Sequence, residues 1–132
     1  MKKNFITSKD LNLVFGSDLK VLNITGAEID SRNVKRGNIF FAIDGKKNNG
    51  HDFLRQVEKN GASVAIVKRK SNKIKIPQIK VSNTHTALIK LAKYYRSLFK
   101  GKIIGITGSV GKTSTKDSLN YILSKSKKAY CS

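Results

Sequence analysis

The apolar run IFFAI at residues 39–43 places the strongest constraint on the fold of this chain. Such an unbroken run between turn residues is typical of a strand buried on both faces, which needs a layer of other structure on each side. Residues 63–67 form a second run, and shorter ones at 21–24 and 79–81 predict two more strands. Helical patterns alternate with these runs, so the sequence predicts an α/β fold with a small mixed sheet.

Three helices are predicted among these strands, each with a polar capping residue at its start. The first starts at Thr7 or Ser8 and closes at Gly16, and the second starts at His51 or Asp52 and ends at Gly61. The third and clearest spans 84–99, where apolar residues recur at i, i+3 and i+4. Thr25 and Gly26 are predicted to form a turn after the 21–24 strand.

A glycine-rich segment, TGSVGKTS at 107–114, lies between a predicted strand at 103–106 and a predicted helix. Glycines allow a tight turn in which successive N–H groups point at one anion, and the helix N-terminus adds partial positive charge. The general pattern G-x-x-x-x-G-K-[ST] expects glycine where this chain has Ile106. The alternative is a glycine-rich turn that only caps a helix, but the order strand, loop, helix favours a nucleotide-phosphate site.

Within this segment Lys112 adds a full positive charge, and Thr113 places a hydroxyl where Mg²⁺ would sit beside the phosphates. The predicted ATP-binding residues are consecutive: Thr107, Gly108, Ser109, Val110, Gly111, Lys112, Thr113 and Ser114.

The net charge of +19 raises the alternative of a nucleic-acid-binding module. Lysine supplies 22 of the 27 basic residues and is spread over the whole chain, and the phenylalanines, Phe99 included, fall at predicted core positions. Nucleic-acid readers instead cluster arginines with exposed aromatic residues, so this alternative ranks low. The basic loop at 68–75 is interpreted as solvated surface.

Two further features concern the cellular compartment of the protein and the extent of its domains. The chain has no apolar run of membrane-spanning length, and its single cysteine, Cys131, fits a reducing cytoplasm. A domain boundary is predicted near residue 100, which divides the chain into 1–100 and 101–132. The second part holds one strand, one helix and the start of another strand at 128–131, so we expect it to be the start of a domain that continues elsewhere.

Several short motifs occur in a specific order: DSR at 30–32, GNIFFA at 37–42, NGHDF at 49–53 and GA at 61–62. Together they resemble the N-terminal domain of the Mur ligases, the ATP-dependent amide-forming enzymes of peptidoglycan precursor synthesis. The loop at 106–113 is similar to the ATP-binding loop of the same family, in which Ile106 is a family variant. Asn49 departs from the family, which usually has Asp at this position.

Within the family, TGS at 107–109, STKD at 114–117 and the stretch 81–96 resemble most the members that add D-alanyl-D-alanine. The alternative is the sister member that adds the third peptide residue. The resemblance implies that ATP phosphorylates the terminal carboxylate of UDP-N-acetylmuramoyl-tripeptide, and that the amine of D-alanyl-D-alanine then attacks this acyl phosphate. Lys112 would be catalytic by bridging the β- and γ-phosphates, and Thr113 would ligate Mg²⁺.

The resemblance also implies a uridine diphosphate site formed by Ser31, Arg32, Lys46, Lys47 and Asn48. The alternative for residues 30–32 is an internal turn with an ion pair. His51 is interpreted as a helix-start residue satisfied by backbone rather than as a catalyst. We expect a cytoplasmic monomer, and we expect the 132-residue chain, as a fragment without the amine-binding domain, to be inactive alone.

Overall fold

A computed structural model of the protein describes residues 6–45, 48–126 and 128–131. The chain divides into two compact units, Met1–Phe99 and Lys100–Ser132. The roles predicted for the two parts stay predictions.

The first unit contains a sheet of four parallel strands. Its elements in chain order are α1 (Ser8–Phe15), β1 (Gly26–Glu28), β2 (Asn38–Phe41), a 3-10 turn (Gly50–Phe53), α2 (Leu54–Lys59), β3 (Val64–Val67), β4 (Gln78–Lys80) and α3 (Thr84–Leu98). The strands lie in the order β1-β2-β3-β4, and every neighbouring pair is parallel. The α/β class is confirmed, but within the described residues the sheet is parallel rather than mixed.

The two central strands are buried along their whole length, as their continuous apolar runs predict. Because successive side chains of a strand point to opposite faces, each strand contributes to two separate cores. The core on the face covered by α1 and α3 includes Leu11, Val14, Ile39, Phe41, Val64, Ile66, Ala87 and Leu91. The core on the face covered by α2 includes Phe40, Ala42, Leu54, Val57, Ala65, Val67 and Ile74. The first unit is therefore a three-layer structure.

The strand predicted at 21–24 is wrong in position. Residues 21–25 are irregular, Val21 is 91% exposed, and the strand that pairs with β2 begins at Gly26 instead. A Cβ atom at Gly26 would lie 3.1 Å from Nδ2 of Asn38. The glycine therefore permits close approach of the two strands and does not mark a turn.

The second unit contains the helix α4 (Lys112–Ser124), which confirms the helix predicted after the glycine-rich loop. The strands predicted at 103–106 and 128–131 are wrong, because both segments are irregular and Ile103 and Ile104 are 58% and 57% exposed. A strand exists only when a neighbour accepts its hydrogen bonds, and the described residues of 100–132 include no such neighbour. Consistently, α4 has no buried residue.

Phe99 was predicted for the core and is 53% exposed, because α3 ends at Leu98 and the chain leaves the sheet there. None of the helices in the described ranges is long and apolar enough to cross a membrane.

A carboxylate joins the two helices on one face of the sheet. Thr7 caps α1 in a reciprocal arrangement with Asp10. The Asp10 carboxylate also accepts hydrogen bonds from the hydroxyls of Tyr94 and Tyr95 in α3, at 2.9 and 2.7 Å. Burial alone would raise the pKa of Asp10, but hydrogen bonds from Thr7, Tyr95 and Tyr94 outweigh it and leave the pKa below its usual 3.8. This link therefore depends on an ionised Asp10.

We expect Tyr95→Phe to lower the free energy of unfolding by about 1 kcal/mol at neutral pH, since one hydrogen bond to a carboxylate is lost. The folded pKa of Asp10 is depressed, so its contribution is present above pH 3.8 and is lost as pH falls through the folded value. The difference between wild type and variant should therefore be full at about pH 7 and smaller at the lowest pH at which both proteins stay folded. Urea denaturation at both pH values checks this. The exposed Tyr130 provides the control, because Tyr130→Phe should change nothing at either pH.

Candidate functional site

The loops that follow β1, β2 and β3 meet at one edge of the sheet, because the carboxyl ends of parallel strands lie side by side. Ligands of open α/β sheets bind at this edge. Ser31 and Arg32 follow β1, and Asn48 lies in the loop after β2. Lys46 and Lys47, also predicted for this site, lie outside the described residues.

The segment Asp30-Ser31-Arg32 forms a turn that contains an ion pair, as one of the two interpretations predicted. Nη2 of Arg32 lies 2.6 Å from Oδ2 of Asp30, and Nε donates to the same carboxylate at 3.0 Å. Hydrogen bonds from Arg32 hold the pKa of Asp30 at about 2. The Arg32 side chain is nevertheless 81% exposed, so its guanidinium can still reach a ligand in solvent.

Side chains of helix α2 and of Asn60, the residue that follows it, bind this turn. The hydroxyl of Ser31, which is buried, donates to Oε1 of Gln56 at 3.3 Å, and Nδ2 of Asn60 donates to the carbonyl of Ser31 at 3.1 Å. Sequence reasoning missed Gln56 and Asn60, although two amide side chains four residues apart on a helix share one face and indicate a common partner.

The loop after β2 is closed by backbone contacts. Asp44 and Asn49 form an antiparallel bridge, and the N–H of Gly45 donates to the carbonyl of Asn48 at 2.9 Å. Oδ1 of Asn49 accepts from the N–H of His51 at 2.9 Å and so caps the 3-10 turn. An amide oxygen serves this purpose as a carboxylate would, which gives Asn49 a structural role despite its departure from the family pattern.

His51 connects the loops that follow β2 and β3. Nε2 accepts hydrogen bonds from the backbone N–H groups of Lys68 and Arg69, at 3.0 and 3.4 Å. Nδ1 lies 2.9 Å from Oδ1 of Asn49 and 3.2 Å from Oδ1 of Asp44. Since Nε2 acts only as an acceptor here, the neutral ring carries its proton on Nδ1. The predicted role of His51, satisfaction by backbone at a helix start, is confirmed.

The glycine-rich loop of the second unit leads directly into α4. Gly111, with φ of 77°, adopts the left-handed conformation that glycine permits and precedes the first helical residue, Lys112. The Lys112 ammonium donates to the carbonyl of Gly108, so the cation lies over the loop. Thr113 and Ser114 are exposed in the first turn, where helical N–H groups have no partner within the helix. These features are compatible with binding phosphates.

No cluster of three or more His, Cys, Asp or Glu side chains able to hold a metal occurs in 6–45, 48–126 and 128–131.

Comparison with known proteins decides the family. Residues 23–96 match the Mur ligase family, catalytic domain, which is more than half of the chain. The chain belongs to the Mur ligase family.

Individual Mur ligases align over most of this chain. The UDP-N-acetylmuramoyl-tripeptide–D-alanyl-D-alanine ligase of Rickettsia prowazekii is 39% identical over 120 residues, which cover 88% of this chain and 26% of that protein. The UDP-N-acetylmuramoyl-L-alanyl-D-glutamate–2,6-diaminopimelate ligase of Aquifex aeolicus is 38% identical over 102 residues, covering 76% and 21%.

The solved structure of the MurF ligase from Thermotoga maritima in complex with ADP superposes with a TM-score of 0.68 at 33% identity, over 85% of this chain and 26% of that one. The present Mur ligase chain thus spans about a quarter of the length of the curated relatives it matches.

Gly50 fixes where this Mur ligase chain turns after β2. A Cβ atom at this position would lie 2.7 Å from the carbonyl carbon of Ala42 and from the nitrogen of Ile43, both backbone atoms. We expect Gly50→Ala to lower the free energy of unfolding by about 1–3 kcal/mol, as overpacking does. Thermal denaturation checks this against Gly105→Ala, where a Cβ atom meets nothing within 4 Å. Equal stability of the two variants would contradict the contact.

The hydrogen bonds of His51 predict a single tautomer. Long-range proton–nitrogen NMR at about pH 8.5, where ordinary imidazoles are neutral, should show the proton on Nδ1 and none on Nε2. The exposed His85 is the internal reference and should show exchange between both tautomers. A protonated Nε2 in His51 would refute the connection to Lys68 and Arg69.

Proposed function

We propose that this chain forms part of a D-alanyl-D-alanine-adding Mur ligase of peptidoglycan precursor synthesis. In this proposal the first unit holds the uridine diphosphate end of UDP-N-acetylmuramoyl-tripeptide, and the second unit holds the phosphates of ATP. The observation that supports the proposal is that the Asp30–Arg32 turn and the closed loop after β2 both follow parallel strands and so lie at the carboxyl edge of the sheet. The longest curated alignment reported above, to the Rickettsia ligase, supports the same assignment.

The exposed guanidinium of Arg32 suits a diphosphate, because its planar donors match phosphate oxygens. Asn48 would offer an amide to the uracil or ribose, while the buried Ser31 hydroxyl, which already donates to Gln56, could only accept a hydrogen bond from them. Lys46 and Lys47, between Gly45 and Asn48 in sequence, would add positive charge beside the diphosphate.

For ATP, the residues Thr107–Ser114 would surround the phosphates, with Lys112 near the β- and γ-phosphates and Thr113 beside Mg²⁺. Lys112 already lies over the loop through its bond to Gly108, which supports this assignment. Bound ATP supplies the phosphoryl group that activates the substrate carboxylate for amide formation. The residues of this chain would position that group and balance its charge.

A sister ligase that adds the third peptide residue is the second candidate, since the Aquifex relative is nearly as similar. The two candidates share the uridine diphosphate and ATP sites and differ in the amino compound that they add. In both cases we place the protein in the cytoplasm.

Titration calorimetry of the 132-residue chain with UDP-N-acetylmuramoyl-tripeptide tests the first site. We expect saturable binding that weakens roughly tenfold in Arg32→Gln, the loss of one charge-assisted phosphate contact. Arg96→Gln removes an exposed arginine in the last turn of α3 and should leave this affinity unchanged. Equal weakening in both variants would show a general effect of charge and contradict the site.

Titration with ATP and Mg²⁺ tests the second site. Lys112→Gln should strongly weaken the binding that depends on this loop, whereas Lys102→Gln, an exposed lysine before the loop, should not. Complementation then separates the two candidates. A full-length ligase gene that contains this coding sequence should rescue a strain depleted of the D-alanyl-D-alanine-adding ligase, and rescue only of a strain depleted of the sister ligase would favour the second candidate.

A further inference from the structure

A cavity in the first unit concentrates positive charge, and its lining includes neither Ser31 nor Arg32. It lies between the start of α2 and the loop that joins β3 to β4, and it is lined by Arg55, Arg69, Lys70 and Lys73. We name it the basic cavity after these four cations. One carboxylate, Asp52, also lines it.

None of the four cations of the basic cavity forms an ion pair in the described part of the chain. The ion pairs found there join Arg32 to Asp30 and Lys116 to Asp117, and Oδ1 of Asp44 lies 3.2 Å from Nδ1 of His51. Four cations against one carboxylate in a single concave site repel each other, and the repulsion falls when an anion enters. Cationic side chains that interact only with water are expected to be spread over the surface, as most lysines of this chain are.

The backbone that carries three of these cations is fixed at both ends and in the middle. At its start, His51 accepts from the N–H groups of Lys68 and Arg69. In the middle, the N–H of Ser71 donates to Oε1 of Gln78, and Nε2 of Gln78 donates back to the carbonyl of Ser71, both at 2.8 Å.

At the end of the same loop, the carboxylate of Glu58 in α2 accepts from the N–H groups of Lys75 and Ile76. A ligand therefore needs to order only the side chains and not the loop itself. Such preorganisation favours binding.

The chemistry of the lining selects the ligand. Guanidinium and ammonium groups next to the Ser71 hydroxyl suit phosphate oxygens, and several cations suit several linked phosphates. The lining includes the apolar Leu54 and Ile74 but, within the described residues, no Phe, Tyr or Trp on which a nucleobase could stack. The recognised part is thus the phosphate chain.

We propose that the basic cavity binds a compact polyphosphate group, at a site separate from the glycine-rich loop at 107–114. The group can belong to inorganic triphosphate or to a nucleotide. The proposal stands on the first unit alone and does not depend on the ligase function.

The test is calorimetry with inorganic triphosphate, and in parallel with ATP, at about 0.15 M salt, where long-range attraction is screened. All proteins carry Lys112→Gln, so that the loop at 107–114 contributes little. The cavity variant Arg69→Gln/Lys70→Gln/Lys73→Gln is compared with Lys20→Gln/Lys90→Gln/Lys93→Gln. Both triple variants remove three exposed cations, so they have the same net charge.

We expect saturable triphosphate binding that weakens tenfold or more in the cavity variant, the equivalent of losing charge-assisted hydrogen bonds. The control variant should bind within about twofold of the parent, as is usual for distant surface sites. Parallel loss of ATP binding in the cavity variant identifies a nucleotide as a source of the group, and loss for triphosphate alone identifies the inorganic ion.

Three results would overturn the proposal. These are absence of saturable triphosphate binding at millimolar concentration, equal weakening in both triple variants, and binding of a short DNA duplex in place of triphosphate. Circular dichroism melts of both variants verify that the exposed substitutions leave the fold intact, so that a loss of binding reports on the cavity.

Discussion

Burial of β2 and β3 on both faces is the constraint on which the first unit depends. Phe40 and Phe41, adjacent in sequence, belong to two different cores on opposite sides of the sheet. Neither side can be left open without exposing a large aromatic ring, so helices have to cover both. Because both faces are covered, the polar loops that follow β1, β2 and β3 lie at the carboxyl edge of the sheet.

The sequence predicts those elements of the fold that are specified by their own residues, and it fails for those that depend on a partner elsewhere in the chain. The predictions from the runs at 39–43 and 63–67 and from the helical pattern at 84–99 are strong because pattern and burial agree. The strands proposed at 21–24 and 103–106 failed, because the apolar residues there resemble a strand but a strand also needs a partner with free hydrogen-bonding groups. Pairing is a property of the assembled sheet and not of either segment. Gly26 shows the converse, since its role in β1 is set by the side chain of Asn38.

Two local features of the candidate site were predictable. A turn with an ion pair was one of the two interpretations of the motif at 30–32, and His51 was correctly assigned to backbone hydrogen bonding. The spacing of Gln56 and Asn60 indicates a common partner, but that this partner is Ser31 could not be predicted, because Ser31 lies 25 and 29 positions away and meets them only after α2 packs on the sheet. The basic loop at 68–75 was interpreted as solvated surface for a similar reason. The hydrogen bonds that fix it come from α2, β4 and His51, which are distant from it in the sequence.

The carboxylate that joins α1 to α3 has a consequence for folding during synthesis. Asp10 receives its tyrosine partners from positions 84 and 85 residues further along the chain. While the ribosome is still producing the strands, the Asp10 carboxylate therefore has Thr7 but not the tyrosines as partners, and the face of the sheet that α3 covers stays open. The first unit can close only after α3 has emerged, so a nascent chain that stalls before residue 95 would expose that apolar face to aggregation.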